Sequence, residues 1–350
     1  MASHAPGIAS AFPPSAAAFG ATGPTTVGTS PAGVISVSSC LAQAKSPGED
    51  GVLVPAGPAA PQLFGVVDGH GGAEVTLRIV SRLPALVAAE VAKDASSGAA
   101  ALSRGVARCE ADLLDEEALA EQGACAVFLL VTPGGPGAPA SAAVASVGDC
   151  VAVAACVFEG ALLPKRLSGA PHNLSTGLEL FKAMRVGVAV ELDDADEDDP
   201  ALFCKSPFLH PDEGGLQCTR SLGDSGFKRP AAALGGAGRK RKSVGARPPL
   251  SATPHEASTL VSDTAFVVLA SDGVSDHLAD GELVAAVAAH VAAGGRREDA
   301  AAALVRAAMQ RAAFAARPQR LATDVLAAMP CGEDRRDVCD DMAAVVVFFR

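Results

Sequence analysis

The chain has 350 residues, 49% of them apolar and 19% charged, and carries a formal net charge of −11. That is enough apolar material for a substantial core in one large or two ordinary domains, and it excludes a globally disordered chain. The acidic balance argues against non-specific binding to nucleic acid or an anionic membrane, and no apolar run approaches the roughly 18–20 residues of a membrane span.

Residues 1–33 are mostly Ala, Ser, Thr, Pro and Gly, with a few Phe and no Asp, Glu, Lys or Arg. Such a segment cannot offset its ordering entropy by packing, so a disordered tail is expected. Its Ser/Thr/Ala content resembles that of organellar transit peptides, but the arginines those carry are missing.

From Val34 the texture changes. Val34–Ser39 alternates like a strand, and Gln62–Val67 is an apolar run stopped by Asp68-Gly69. Gly71 and Gly72 open a helical stretch over Ala73–Val91, with a kink expected at Pro84, and a second helix covers Leu102–Leu119. Cys125–Val131 and Ala142–Ala145, separated by the Gly/Pro-rich Pro133–Pro139, predict a hairpin; Val151–Val157 follows the turn at Gly148-Asp149 as a further strand. Ala265–Ala270 and Met342–Phe349 read as strands, with helices over Glu282–Ala293 and Asp299–Ala316 between them. Strands that neighbour one another without regular βαβ alternation predict an α+β fold with antiparallel sheets and helices packed on them.

The middle of the chain reads differently. Residues 171–216 form an irregular region, including the acidic run Asp193-Asp194-Ala195-Asp196-Glu197-Asp198-Asp199. That run lacks the Gly and the terminal bidentate Glu of a calcium loop and reads as a solvated loop. Residues 228–249, centred on Arg239-Lys240-Arg241-Lys242, read as an exposed basic insertion, with a nuclear-import address or docking patch as the alternative. The nine cysteines include no CxxC pair, and Cys125, Cys150, Cys156 and Cys218 lie in apolar stretches. Reduced thiols in an intracellular compartment, cytoplasmic or nuclear, are the expectation.

Four aspartate-bearing segments carry the chemistry: Gly48-Glu49-Asp50, Asp68-Gly69-His70-Gly71-Gly72, Ser271-Asp272-Gly273 and Asp340-Asp341, each where a predicted strand ends. Carboxylates beside glycines that admit close backbone approach suit hard cations such as Mg²⁺ or Mn²⁺. A pair of such ions makes a water-activating phosphoester-hydrolysis site.

In order along the chain these segments resemble the metal-dependent serine/threonine phosphatases of the 2C type. Lys45-Ser46-Pro47-Gly48-Glu49-Asp50 matches the family's Arg-x-x-Met-Glu-Asp, and Phe64 to Gly72 its hallmark segment. Ala145 to Cys150 resembles its Gly-Asp-Ser turn, and Thr219-Arg220-Ser221-Leu222-Gly223-Asp224 its Ser-Arg-x-x-Gly-Asp box. Leu269 to Asp276 follows, then Cys339-Asp340-Asp341-Met342 where the family has Ser-x-Asp-Asn.

The resemblance implies an α-β-β-α sandwich of two mainly antiparallel sheets flanked by helices, spanning residues 34–350, with residues 171–216 as a flap beside a metal cleft. It implies Asp68 bridging two Mg²⁺ or Mn²⁺ ions, Asp272 and Asp341 completing one ion's ligands, and Glu49 with the Gly69 carbonyl holding the other. Asp50 would orient bound water, His70 would protonate the leaving alkoxide, and Lys45 would grip phosphate. Asp149 and Asp276 match positions that bind a third metal, though either could equally be a turn or cap residue. The implied reaction is direct hydrolysis of phosphoserine or phosphothreonine by a hydroxide bridging the ions. The expected partners are phosphoprotein substrates, with no nucleic acid and no membrane, and the expected state is a monomer.

Lys45 departs from the usual Arg and loses its planar fork. Pro171-His172 replaces an Asp-His, Met342 an Asn, and Ser275 a common Trp. These departures give weight to an alternative, a catalytically weak or silent 2C-like module that binds partners. A cysteine-based phosphatase is excluded because none of the nine cysteines has an Arg six residues on, and phosphate-cradling GxxxxGK[ST] loops are absent.

Overall fold

The computed structural model describes residues 33–55, 57, 61–94, 97–134, 139–185, 189–193, 201–205, 215–228, 250–315 and 322–349. Two antiparallel sheets face each other. The first is built, in spatial order, from β1 (Ser36–Ala42), β13 (Met342–Phe348), β12 (Thr264–Ala270), β6 (Val151–Phe158) and β7 (Ala161–Arg166). The second runs β11 (His255–Leu260), β5 (Ser141–Val147), β4 (Gly123–Thr132), β3 (Gln62–His70), β2 (Gly51–Leu53), with β10 (Leu222–Gly223) paired to the start of β4. A separate hairpin joins β8 (Ala189–Asp193) to β9 (Ala201–Lys205).

The strand residues sort by parity, as the two-residue period requires. On β4, Val127, Leu129 and Val131 enter the core between the sheets, while Ala126, Phe128 and Leu130 enter the core under helices α1 (Glu74–Lys93) and α2 (Gly98–Leu114). On β13, Val345 and Val347 face the inter-sheet core. Its Ala344, Val346 and Phe348 face the outer core. There they meet residues of α6 (Asp280–Ala292), α7 (Ala300–Ala315) and α8 (Thr323–Ala328). Three apolar layers between four layers of elements make the α-β-β-α sandwich. Strands buried on both faces read as unbroken apolar runs, which is why β4, β12 and β13 stand out in the sequence.

Several boundaries differ from expectation. Pro84 sits on an exposed position inside a helix assigned without a break, so its missing N–H and ring are accommodated on the solvent side. Helix α2 begins at Gly98, capped by Ser97 accepting from the Ala100 N–H, and ends at Leu114 rather than Leu119. The stretch expected to be irregular contains helix α3 (Gly177–Arg185) as well as the β8–β9 hairpin. Residues 1–32, most of the acidic run and the basic insertion beyond Lys228 lie outside the described residues. All described cysteines are free thiols. Among the described residues no helix is long and apolar enough to cross a membrane.

Candidate active site

The open end of the inter-sheet layer gathers the acidic segments. On β3, Phe64 and Val66 point into the inter-sheet core, and the same parity brings Asp68 to that layer's rim. Asp272 lies just past β12 as the first residue of α5 (Asp272–Ser275), and Asp149 lies in the turn from β5 to β6. Carboxylate oxygens of Asp68, Asp149 and Asp272 all lie within 4.8 Å of one another. Burial pushes the Asp272 carboxyl up to about 7, helped by the charges of Asp149, Asp276 and Asp340 and offset by a hydrogen bond with Asp68. Asp68 is raised well above the usual range by burial and then by Asp272 and Asp50.

Asp50 reaches the same cluster from the segment between β1 and β2. Its side chain is fully buried, and neither carboxylate oxygen has a hydrogen-bond partner. Burial, Asp341 and Asp272 raise its pKa well above normal, against the lowering pull of Asp68 and Ser271, which lie close but outside good hydrogen-bond geometry. A buried, unpaired carboxylate among other carboxylates is costly unless a cation joins it. The all-oxygen donor set is what Mg²⁺ or Mn²⁺ selects, so these residues fit the implied ions.

Gly69 makes the approach possible: a methyl group there would overlap the Glu49 carbonyl and the Thr76 hydroxyl. Thr76 Oγ donates to that carbonyl at 2.8 Å, tying the Glu49 backbone to α1.

The Asp340-Asp341 pair also anchors the loop that carries Glu49 and Asp50. The Asp341 carboxylate accepts the backbone N–H groups of Ala44 (2.5 Å), Lys45 (2.9 Å) and Glu49 (3.0 Å). It holds the 44–49 loop, and its charge also reaches Asp50 in the acidic cluster. Asp340 is half-exposed, and its charge reaches Asp272. Lys45 Nζ sits between Glu49 (3.0 Å) and Asp340 (3.2 Å). Burial would lower its pKa, but Asp340 and Glu49 outweigh that and raise it. Asp276 caps α5, its N–H donating to the Asp272 carbonyl at 2.8 Å.

His70 ends β3, and its Nε2 lies 3.1 and 3.0 Å from the two oxygens of Asp224. Burial opposes protonation of this ring, yet the charge and hydrogen bond of Asp224 carry its pKa up to about 9. Sequence reasoning named Asp224 and Asp340 within their motifs but gave neither a role of its own. The signals were the terminal aspartate of the Ser-Arg-x-x-Gly-Asp box and the first aspartate of the Asp-Asp pair.

Comparison with known proteins matches these features. The family model "Protein phosphatase 2C" matches residues 210–314. The chain is 30% identical over 332 residues to "Probable protein phosphatase 2C 61" of Oryza sativa subsp. japonica, covering 89% of this chain and 80% of the relative. It is 28% identical over 333 residues to "Probable protein phosphatase 2C 29" of the same organism, at 89% and 78% coverage. Among solved structures, a serine-threonine phosphatase 2C from Toxoplasma gondii superposes with a TM-score of 0.65 at 18% identity, covering 95% of this chain and 98% of that one. A C. elegans sex determining protein gives 0.62 at 19% identity, covering 90% and 64%. The structural likenesses establish the fold.

Proposed function

The chain belongs to the protein phosphatase 2C family, and from that premise we propose that residues 34–350 form an Mg²⁺- or Mn²⁺-dependent catalytic domain hydrolysing phosphoserine and phosphothreonine in proteins. The observation that carries this reading is the convergence of Asp68, Asp149 and Asp272 within 4.8 Å, with the unpaired Asp50 buried beside them.

Asp68 and Asp272 would hold one ion or both, Glu49 and the Gly69 carbonyl would complete one side, and Asp340 is the better candidate than Asp341 for the other. Asp149 and Asp276 flank Asp272 and would serve a third ion. When bound, two such ions neutralise charge on phosphoryl oxygens and make water a competent nucleophile near neutral pH. Asp50 orients water through its free oxygens. Lys45 keeps Glu49 and Asp340 in place and adds positive charge at the rim. His70, kept charged by Asp224, gives a proton to the departing serine or threonine oxygen.

A second reading, a catalytically weak or silent binding module, draws on Lys45 being bracketed by two carboxylates where a phosphate-gripping Arg is usual. Mn²⁺-dependent hydrolysis of a phosphothreonine peptide, with Asp272→Ala as the blank, separates the two. Turnover lost in the variant is expected; equal inertness of both would establish the silent module instead.

A further inference from the structure

Asp224 is held over the start of β4 by an arrangement that nothing in a plain turn requires. Gly123 pairs with His70 of β3 on one side and with Gly223 of β10 on the other. From the β10 side, Asp224 reaches back across Gly123 to the imidazole, and any side chain at Gly123 would overlap its carboxylate. The Asp224 carboxylate is buried, while the His70 ring keeps about a quarter of its surface exposed. Asp224 itself adopts φ 49°, a left-handed conformation uncommon outside glycine, directly after Gly223 at φ 78°.

A second set of contacts fixes this turn from behind. Glu110 of α2 accepts the Gly223 N–H at 2.8 Å and Lys228 Nζ at 2.7 Å. Lys228 also donates to the Ser221 carbonyl at 2.7 Å, closing a clamp around residues 221–228. The Asp224 N–H donates to the Gln122 carbonyl at 2.8 Å. Both ends of the turn are thereby tied, to α2 and to the entry of β4.

We infer that Asp224 is a positioning residue for the reaction, holding His70 by its Nε2–H so that Nδ1 presents the proton taken by the leaving alkoxide, with Gly123 as the gap and Glu110–Lys228 as the clamp. This rests on the phosphatase reading above. A carboxylate only accepts, so Nε2 must be the donor toward Asp224. The proton available for transfer is then the one on Nδ1. In the step, the P–O ester bond breaks with its electron pair on the alkyl oxygen, water forms the new P–O bond and releases one proton to solvent, and the alkyl oxygen takes the Nδ1 proton. The neutral ring regains a proton from solvent.

An aryl phosphate with a good leaving group departs without a proton, whereas a phosphothreonine needs one. Asp224→Asn is therefore expected to lower kcat on a phosphothreonine peptide at least tenfold more than on p-nitrophenyl phosphate, and to add little further loss in a His70→Asn background. Gly123→Ala, which keeps both partners but crowds the gap, should show the same substrate bias and serves if Asp224→Asn does not fold. Equal losses on both substrates, or an Asp224→Asn effect undiminished without His70, would overturn the inference. If the wild type hydrolyses neither substrate, the phosphatase reading fails, and the contact is then decided by the ¹⁵N–¹H imidazole spectrum of the Mg²⁺-loaded protein. A low-field His70 Nε2–H signal lost in Asp224→Asn supports the pairing; a signal unchanged in the variant rejects it.

Discussion

The Glu49 N–H donates to the buried carboxylate of Asp341 across 292 residues of chain, at 3.0 Å. With the matching bonds from Ala44 and Lys45, this contact carries the Glu49-Asp50 segment to the cluster at the end of β3. Asp341 Oδ1 takes two of these bonds and Oδ2 one, while Asp340 accepts the Asp341 N–H at 2.7 Å and pairs with Lys45 at 3.2 Å.

The two neighbours should therefore answer mutation in opposite ways. Asp340→Asn is expected to weaken Mn²⁺ binding at least tenfold in calorimetry with little change in stability, since its side chain is half-exposed. Asp341→Ala leaves three backbone donors without their acceptor and should cost about 2–4 kcal/mol in urea unfolding. Similar metal affinity for wild type and Asp340→Asn would return the ligand role to Asp341.

Asp50 is a case of function stored as strain. Its buried oxygens make no well-formed hydrogen bond and face like charges that outweigh the nearby Ser271 and Asp68 contacts, so Asp50→Asn in EDTA should raise stability by about 1 kcal/mol. Mn²⁺ at a hundredfold excess over its Kd stabilises a binding-competent fold by about 2.7 kcal/mol, and that gain should shrink in the variant. Thermal unfolding with and without metal measures both. A less stable metal-free variant would show that Asp50 has a partner after all.

The legible parts of this chain were those where one physical rule dominates. Strands β4, β12 and β13 are buried on both faces and announced themselves as apolar runs. Asp68 and Asp272 sit in short Gly-flanked motifs at the ends of such strands. Edge strands were missed for the converse reason: β7 is exposed almost throughout and β11 alternates with short polar residues, so neither carries a hydrophobic signal. Helix α3 is short, nine residues, and sits in a stretch without neighbouring periodic segments, so its Leu178, Phe181, Met184 stripe was not enough to mark a helix. Asp340 and Asp341 are adjacent and chemically identical. Only the backbone donors of a loop nearly 300 residues away distinguish their contacts, and no local pattern encodes that.

His172 offers a stability test away from the carboxylates. Burial, aided by the charge of Arg220, lowers its pKa to about 4, and its Nδ1 is buried without a partner. The folded protein thus binds fewer protons than the unfolded chain, whose histidine titrates near 6.5. Its contribution is intact above that value and is lost as pH falls toward 4. Between pH 7.5 and 5.5 the loss should be about 1 kcal/mol. His172→Gln should remove that share of the pH dependence, measured as the difference between the two proteins in urea at both pH values in EDTA. Parallel pH profiles for wild type and variant would mean that the ring takes up its proton in the folded state.

Gly69 tests the packing on which the whole site depends. The β3 backbone passes so close to the Glu49 carbonyl and Thr76 hydroxyl that a methyl group has no room. Gly69→Ala must push the 48–50 segment away from β3 or strip the Thr76 bond from Glu49. Overpacking of this kind costs about 1–3 kcal/mol. Its functional cost should be larger, because a displacement of about 1 Å at a metal site or reacting group can cost a hundredfold in rate. The expected pattern is a modest fall in unfolding free energy with Mn²⁺ affinity and phosphopeptide turnover both reduced tenfold or more. A variant with unchanged metal affinity would show that Glu49 and Asp50 reach the cluster without the close approach to Gly69.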